Sequence, residues 1–172
     1  AKPGEPIESG ELLQDLAFMN HSPFRRTDAV FTPGAKPGIA DLELITVDRW
    51  PYRFYAGADN TGTIATDRNR LFLRMNLGKT IVQDSEVSYQ YTTAPNGNRF
   101  YSHTATVRVP IPWFGFRHTA QAFGGYSMVN PDTGVTHLHS RGVSWYVDLR
   151  YRIPIFDDAD CLQEIVFGYD FK

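Results

Sequence analysis

The side chains that could do chemistry in this chain are few and scattered. His137 and His139 stand two positions apart with Asp132 nearby. Two histidines on the same side of an extended segment can bind a metal ion. The surrounding stretch is polar and typical of a solvated loop, so we predict no metal site there. The acidic run Asp157–Asp160 lacks the glycine and the terminal glutamate of a calcium-binding loop, and it predicts a plain turn.

No combination of residues indicates catalysis. Serine, histidine and aspartate all occur, but no nucleophile-elbow sequence surrounds a serine. The chain contains no phosphate-binding glycine loop, no GxGxxG dinucleotide signature and no HExxH zinc signature. Its single cysteine, Cys161, can form neither an intrachain disulfide nor a cysteine-based metal site. We therefore expect a protein that is not an enzyme and that uses no cofactor.

Charged residues recur instead at alternate positions of extended segments. Arginine outnumbers lysine thirteen to four, and the rigid arginine fork holds carboxylate networks better than lysine does. Such a surface belongs either to an enclosed, water-filled passage or to an ordinary solvent-facing sheet. We favour the passage and predict seven lumen-facing residues: Arg53, Arg70, Arg74, Arg108, Asp148, Arg150 and Arg152.

The segments that carry these charges have the pattern of long amphipathic strands. Between Val143 and Ile153 the odd positions are Val, Trp, Val, Leu, Tyr and Ile, and the even positions are Ser, Tyr, Asp, Arg and Arg. Neighbours in a strand point to opposite faces, so one face is apolar and the other polar. About ten residues is also the length at which a tilted strand crosses a bilayer. The pattern predicts seven such strands: Tyr52–Asp59, Arg70–Gly78, Glu86–Thr93, Tyr101–Ile111, Arg117–Met128, Val143–Ile153 and Leu162–Lys172.

Composition agrees with this interpretation. Aromatic residues make up 14% of the chain and the net charge is −2, which gives no support to nucleic-acid binding. No run of 18 apolar residues exists, so we expect no transmembrane helix. The longest connections are among those that follow the first, third and fifth strands, and bacterial outer-membrane proteins place their long loops outside the cell.

The N-terminal fifty residues predict a small α-β-β module. Ser9 fits a helix N-cap, and the helix should end near Asn20, before Pro23. Alternation then predicts strands at about Thr27–Thr32 and Ala40–Asp48. This module alone is too small for a convincing core.

Seven short sequences resemble a known family in order and spacing. The chain resembles the outer-membrane transporters of two-partner secretion, which are the haemolysin secretion/activation proteins of the Omp85 superfamily. The resemblance rests on NHSPFRRTD at Asn20–Asp28, PGAKPG at Pro33–Gly38, DLEL at Asp41–Leu44, YAGADNTGT at Tyr55–Thr63, YQYTT at Tyr89–Thr93, RYRIP at Arg150–Pro154 and FGYDFK at Phe167–Lys172.

The resemblance implies that the chain is an internal fragment of such a transporter. Residues 1–49 would be a partial POTRA module in the periplasm, and residues 50–172 would be the N-terminal part of an outer-membrane β-barrel. The expected fold is mainly β, with an antiparallel meander of about seven long strands after the α-β-β module. Family members secrete a large partner exoprotein without nucleotide hydrolysis. The implied partners are therefore a secreted client and outer-membrane lipid, and no nucleic acid.

The role of one strand edge in the N-terminal module stays open at the level of sequence. The second strand of the module offers an edge on which a client could add as a further strand, formed by Asp41, Leu42, Glu43 and Leu44. The same edge could equally pair with a POTRA strand that this sequence lacks.

Two other functions are also compatible with the pattern. One is a soluble β-barrel or sandwich that binds an apolar small molecule, with its apolar faces inward. The other is an assembly factor for outer-membrane proteins with the same modular plan. In a pore the apolar faces point outward, so burial of Leu73, Val147 and Phe167 in a dry core would contradict the secretion hypothesis.

Overall fold

The computed structural model has a mainly β fold with one short α-helix and antiparallel sheets. Contacts divide the chain into two compact units, residues 1–50 with 153–165 and residues 51–152 with 166–172. The structure describes Gly4 and residues 6–111, 117–134, 140–158 and 161–172, with the backbone alone at 156–158 and 161–162.

The first unit contains a helix and a hairpin. The helix α1 (Ser9–Met19) precedes the strands β1 (Arg25–Pro33) and β2 (Ala40–Asp48). The two strands pair antiparallel over their full length. This order and the bounds of β2 agree with the sequence prediction, whereas β1 is slightly longer at both ends.

The start of α1 differs from the prediction. The residue in the N-cap position is Glu8, and it makes no side-chain capping bond. The backbone N–H of Leu12 donates to the carbonyl of Glu8 at 3.1 Å, which makes Ser9 the first helical residue. The prediction of Ser9 as the N-cap is therefore wrong, because a cap residue needs non-helical backbone angles to turn its side chain onto the first turn.

Asn20 ends α1 and positions β1. Its backbone N–H donates to the carbonyl of Leu16 at 2.9 Å. Its side-chain amide donates to the carbonyl of Thr27 at 2.7 Å, and its side-chain oxygen accepts the N–H of Thr27 at 2.6 Å. These two bonds satisfy both backbone groups of Thr27, as a neighbouring strand would. The asparagine therefore fixes the start of the hairpin against the end of the helix.

Seven further strands form one open antiparallel sheet, in which each strand pairs with the next along the chain. The described residues show no pairing between the first and last of these strands. The bounds of the first five agree with the prediction to within one residue. The strands are β3 (Tyr52–Asp59), β4 (Arg70–Gly78), β5 (Glu86–Thr93), β6 (Phe100–Ile111), β7 (His118–Val129), β8 (Gly142–Asp158) and β9 (Cys161–Phe171).

The connection between β8 and β9 is shorter than predicted. We expected β8 to end at Ile153, but it continues to Asp158, and β9 begins at Cys161. The predicted turn over Asp157–Asp160 is wrong for its first two residues, and residues 159–160 lie outside the described part. Pairing of β8 with β7 ends at Arg152. Beyond that point β8 has no β7 neighbour, so Pro154 can stand in the strand without removing a hydrogen bond from that ladder.

The two ends of the sheet differ. At the loop end, the connections after β3 and β7 are the longest in the sheet, and the first of them contains a 3₁₀-helix at Ile64–Thr66. At the turn end, the connection between β4 and β5 is built around Ser85. The fully buried Ser85 hydroxyl accepts the backbone N–H groups of Ile81 and Val82 at 2.9 and 3.2 Å and donates to the carbonyl of Val82 at 2.7 Å. The loop end therefore presents more chain to the surroundings.

Buried apolar side chains are scarce in the part of the chain that the structure describes. Leu12 and Phe24 are buried in the first unit, and Ala94 and Met128 are buried near the loop end of the large sheet. A soluble sheet of this size would bury one face against a packed layer. Here the described residues provide no such layer.

Candidate functional site

The register of the large sheet places all seven predicted lumen-facing residues on one face. Arg53 pairs with Asn76, and Arg74 pairs with Tyr55 and Gln90. Directly paired residues share a face, so the pairings can be followed from strand to strand. We call the face with these residues the polar face; its charged and amide members are Arg53, Asp59, Arg70, Arg74, Asn76, Glu86, Gln90, Arg108, Gln121, Asp148, Arg150, Arg152 and Asp170. That these residues line a pore stays a prediction.

An arginine bridges two carboxylates on the polar face of β8 and β9. Arg150 Nη2 lies 2.7 Å from an oxygen of Asp148, and Arg150 Nη1 donates to Asp170 at 2.6 Å. All three side chains are partly exposed. Such ion pairs hold side chains in fixed positions and add modest stability. The cluster therefore presents both signs of charge in fixed positions on the polar face.

Large side chains on the polar face lie over glycines of the neighbouring strand. A Cβ atom at Gly57 would lie 2.5 Å from the ring of Phe72, and one at Gly125 would lie 2.6 Å from the ring of Tyr146. A Cβ at Gly168 would lie 2.5 Å from Nη1 of Arg150. Real Cβ atoms do not approach so closely, so only glycine lets these side chains lie flat along the sheet. The sequence analysis missed these three pairs, since they depend on register.

The prediction that the Arg70 side chain faces the lumen needs correction. Its side chain is buried, with 6% of its surface exposed. The guanidinium donates to the backbone carbonyls of Thr66, Asp67 and Asn69 at 2.6–3.0 Å and to the Thr66 hydroxyl at 2.6 Å. It also lies 4.3 Å from the ring centre of Phe100, in cation–π contact. Arg70 therefore orders the loop after β3, and its charge cannot face a water-filled passage.

Arg99 joins the three loops at the loop end, a role that was not predicted from the sequence. The residue belongs to the loop after β5. Its guanidinium lies 3.2 Å from Asp67 in the loop after β3 and 2.9 Å from Asp132 in the loop after β7. The backbone N–H of Asp132 also donates to the carbonyl of Ala65 at 2.7 Å. These bonds connect the loops into one structure. No local sequence signal could have shown it, because the three residues are far apart in the chain.

The opposite face of the sheet is apolar, and its side chains are exposed on the strands near the two edges of the sheet and mostly half-buried on the central strands β5–β7. Leu73 is 61% exposed, Val147 is 42% exposed and Phe167 is 60% exposed. Over the paired span of β3–β8 this face carries no Asp, Glu, Lys or Arg. In β8 the even, polar-face residues 146–150 are partly buried, whereas the odd residues 143–149 are exposed. This is the reverse of the alternation found in a sheet that packs on a soluble core.

The predicted client-docking edge lies on β2. Asp41, Leu42, Glu43 and Leu44 pair with β1, and the sheet of the first unit contains β1 and β2 alone among the described strands. The other edge of β2 therefore carries no third strand in the described part of the chain. Most β2 side chains are exposed. That a client binds this edge stays a prediction.

Possible metal sites can be assessed for the described residues only. These contain no group of three or more His, Cys, Asp or Glu side chains that could hold a metal ion. His137 and His139 lie outside the described residues. Asp132, their neighbour in sequence, binds Arg99 and accepts the backbone N–H of Gly134 at 3.1 Å.

Comparison with known proteins gives no relative. No family model, no curated protein and no solved structure matches this chain. Within the described residues, no helix has the length and apolar character needed to cross a membrane. Any statement on function therefore depends on the geometry of the sheet.

Proposed function

We propose that this chain forms part of the wall of an outer-membrane translocation pore that secretes a large partner protein, as in two-partner secretion, without enzymatic activity. The observation that carries the proposal is the apolar face of the seven-stranded sheet, which carries no Asp, Glu, Lys or Arg over the paired span of β3–β8 and exposes large apolar side chains on β3, β4, β8 and β9. A contiguous apolar surface of this extent is rare on soluble monomers and is typical of a surface that contacts lipid or a partner. Lipid on that face would leave the polar face to line a passage.

The polar face has the composition expected of such a passage. It mixes arginines with carboxylates, and the Arg150 cluster shows both signs bound together. Mixed charge provides weak, exchanging contacts for a moving polypeptide and no deep site at which it would stop. Large side chains lie over Gly57, Gly125 and Gly168, so they project little into the passage. An extended polypeptide could therefore slide along this wall.

The first unit would be part of a periplasmic POTRA module that receives the client. An unfolded chain can add to an exposed strand edge through backbone hydrogen bonds, which requires no particular sequence. The edge at Asp41–Leu44 of β2 is the candidate. The driving force for export would come from folding of the client outside the cell.

The exposed apolar face argues against the soluble ligand-binding alternative. That alternative requires the apolar faces to enclose a dry interior, whereas Leu73, Val147 and Phe167 are exposed. The assembly-factor alternative predicts the same two faces, so the geometry does not separate it from secretion. Only the identity of the transported protein can do so.

Comparative proteomics separates these functions. We expect inactivation of the gene in its own bacterium to remove one or a few large proteins from the medium, and complementation to restore them. Levels of other outer-membrane proteins should not change. An unchanged medium would contradict a role in secretion, and a general loss of outer-membrane barrels would identify an assembly factor instead.

Site-specific photo-crosslinking tests the docking edge. A photoreactive phenylalanine analogue at Glu43 of β2 should crosslink the secreted client in cells. The same analogue at Glu11, which is exposed on α1, is the matched control and should give no such product. Equal crosslinking at both positions would exclude a specific edge interaction.

A further inference from the structure

A histidine surrounded by tyrosines lies on the apolar face near the loop end. The hydroxyl of Tyr89 and Nδ1 of His103 are hydrogen-bonded at 2.6 Å. The rings of Tyr91, Tyr101 and Tyr126 lie 5.0, 5.7 and 6.3 Å from the His103 ring. These five side chains, which we call the upper cluster, are the polar groups that this face carries at the level of His103.

The same cluster continues onto β8 and towards the loops. Tyr126 pairs with His103 on one side and with Trp145 on the other. Trp145 is exposed and its ring lies 5.2 Å from that of Phe171. The positive charge of Arg141 lies close enough to act on the Tyr101 hydroxyl. Amphipathic rings with a cation beside them are typical of the membrane–water interface.

A second histidine–tyrosine pair lies on the same face near the turn end. Nδ1 of His118 and the hydroxyl of Tyr151 are hydrogen-bonded at 2.8 Å, and the two rings meet edge to face at 5.7 Å. We call these two residues the lower pair. Each histidine–tyrosine bond satisfies one polar atom of each ring. The remaining polar atoms need water or a headgroup, because burial of an unpaired polar group in hydrocarbon is strongly unfavourable.

The surface between the two levels is purely aliphatic on the central strands. Its residues on the apolar face are Ala105, Val107 and Val109 of β6, Ala120, Ala122 and Gly124 of β7, and Val147 and Leu149 of β8. The residue opposite His118 is Ile111, eight positions after His103. At about 3.4 Å per residue the two levels are about 27 Å apart along the strand. A strand tilt of about 40° reduces this to about 21 Å, close to the apolar band of about 25 Å in outer-membrane proteins.

We infer that the upper cluster and the lower pair mark the two levels at which lipid headgroups meet this sheet. The upper cluster contacts the headgroup region of the outer leaflet, and the lower pair contacts that of the periplasmic leaflet. Acyl chains cover the aliphatic band between them. The inference rests on the proposed function only for the membrane location; it adds where along each strand the bilayer begins and ends.

Depth-resolved fluorescence quenching tests the assignment. In a background in which Trp50, Trp113 and Trp145 are replaced by phenylalanine, single tryptophans are introduced by His103→Trp, Val107→Trp and His118→Trp. The protein is inserted into phosphatidylcholine vesicles brominated either near the carbonyls or near the middle of the acyl chains. We expect the tryptophan of the Val107→Trp variant to be quenched at least twofold more by the deep bromines than by the shallow ones. The tryptophans at the two histidine positions should show the opposite order.

The matched control is a tryptophan at Thr106, on the polar face, which should be quenched weakly by both kinds of bromine. The outcomes separate this inference from the proposed function. Deepest quenching at His103 or at His118 would overturn the assigned levels, although the sheet would still be membrane-embedded. Absence of quenching at every position would overturn both the levels and the pore. Tryptophans at Tyr91 and Tyr151 provide second variants at the same two levels, in case a histidine substitution prevents insertion.

Discussion

The two faces of the seven-stranded sheet differ in the side chains that they carry and in the contacts that hold those side chains. On the polar face, rings and guanidinium groups lie flat over glycines, and ion pairs hold side chains in place. On the apolar face, aliphatic and aromatic side chains are exposed on β3, β8 and β9 and mostly half-buried on the central strands β5–β7. The contacts of this face are ring contacts and histidine–tyrosine hydrogen bonds, so the two faces are held by different kinds of interaction.

This difference separates the sheet from one that packs on a soluble core. In a soluble sheet the apolar face gains its stability by being buried, at about 25 cal/mol per Å² of apolar surface. Here that surface is left open, and the described residues of the chain offer nothing to cover it. Over the paired span of β3–β8, the charged side chains are confined to the polar face. A bilayer on one side and an aqueous passage on the other account for both observations.

The largest expected effect comes from a charge on the apolar face. Val107→Arg should reduce the free energy of unfolding in lipid vesicles by about 3 kcal/mol, because a charge near the bilayer midplane of a barrel costs about 2–4 kcal/mol. Thr106→Arg, on the polar face next to it, should cost less than about 1 kcal/mol. Urea titration of the vesicle-inserted protein measures both. Equal costs at the two positions would remove the distinction between the faces.

Replacement of Arg70 tests whether the arginines of the polar face all contribute equally to stability. Arg70→Met removes the donor to three backbone carbonyls, and we expect a loss of about 2–3 kcal/mol, expressed as faster proteolysis within residues 60–69. Arg74→Met is the matched control on the same strand and face. Arg74 donates to Asn76 at 3.1 Å and is exposed, so its replacement should leave the loop resistant. Equal cleavage rates in both variants would show that Arg70 does not hold the loop.

Gly124 and Gly125 of β7 allow a further comparison of the two faces, because Gly124 lies on the apolar face and Gly125 on the polar face. Gly125→Ala forces the ring of Tyr146 off the polar face and should destabilise the protein by about 1–3 kcal/mol. Gly124→Ala is milder, because a Cβ there meets its nearest atom, the Tyr146 carbonyl oxygen, at 3.3 Å. The double variant Gly125→Ala with Tyr146→Ala should recover part of the loss in the same urea titration. Failure of the second change to compensate would mean that the ring does not need the glycine.

The smallest expected effect concerns Arg99, which joins the loops after β3, β5 and β7. Arg99→Gln removes two partly exposed ion pairs, each worth about 0–1 kcal/mol. Global stability should fall by less than about 1 kcal/mol, while hydrogen exchange should quicken in the loops after β3 and β7. Faster exchange confined to the loop after β5 would show that Arg99 does not join the three loops.

Alternation was enough to predict the strands and their faces. The side-chain period of a strand is two, so Val143–Ile153 and Tyr101–Ile111 could be assigned from sequence alone, and the register then brought the predicted arginines together. Long-range geometry could not be predicted. Nothing near Arg70 shows that its guanidinium turns back into a loop, and nothing near Gly125 shows that Tyr146 lies over it. Residues near element ends were also misjudged, as with Ser9 and the end of β8.

Electron paramagnetic resonance tests the central claim, the lipid-facing apolar side, most directly. With Cys161 replaced by serine, single cysteines at Leu73 and Arg74 carry a nitroxide label in vesicle-inserted protein. The label at Leu73 should be relaxed strongly by oxygen and weakly by a water-soluble nickel chelate, and the label at Arg74 should show the opposite preference. Similar relaxation at both sites, or strong relaxation by nickel at Leu73, would contradict the account.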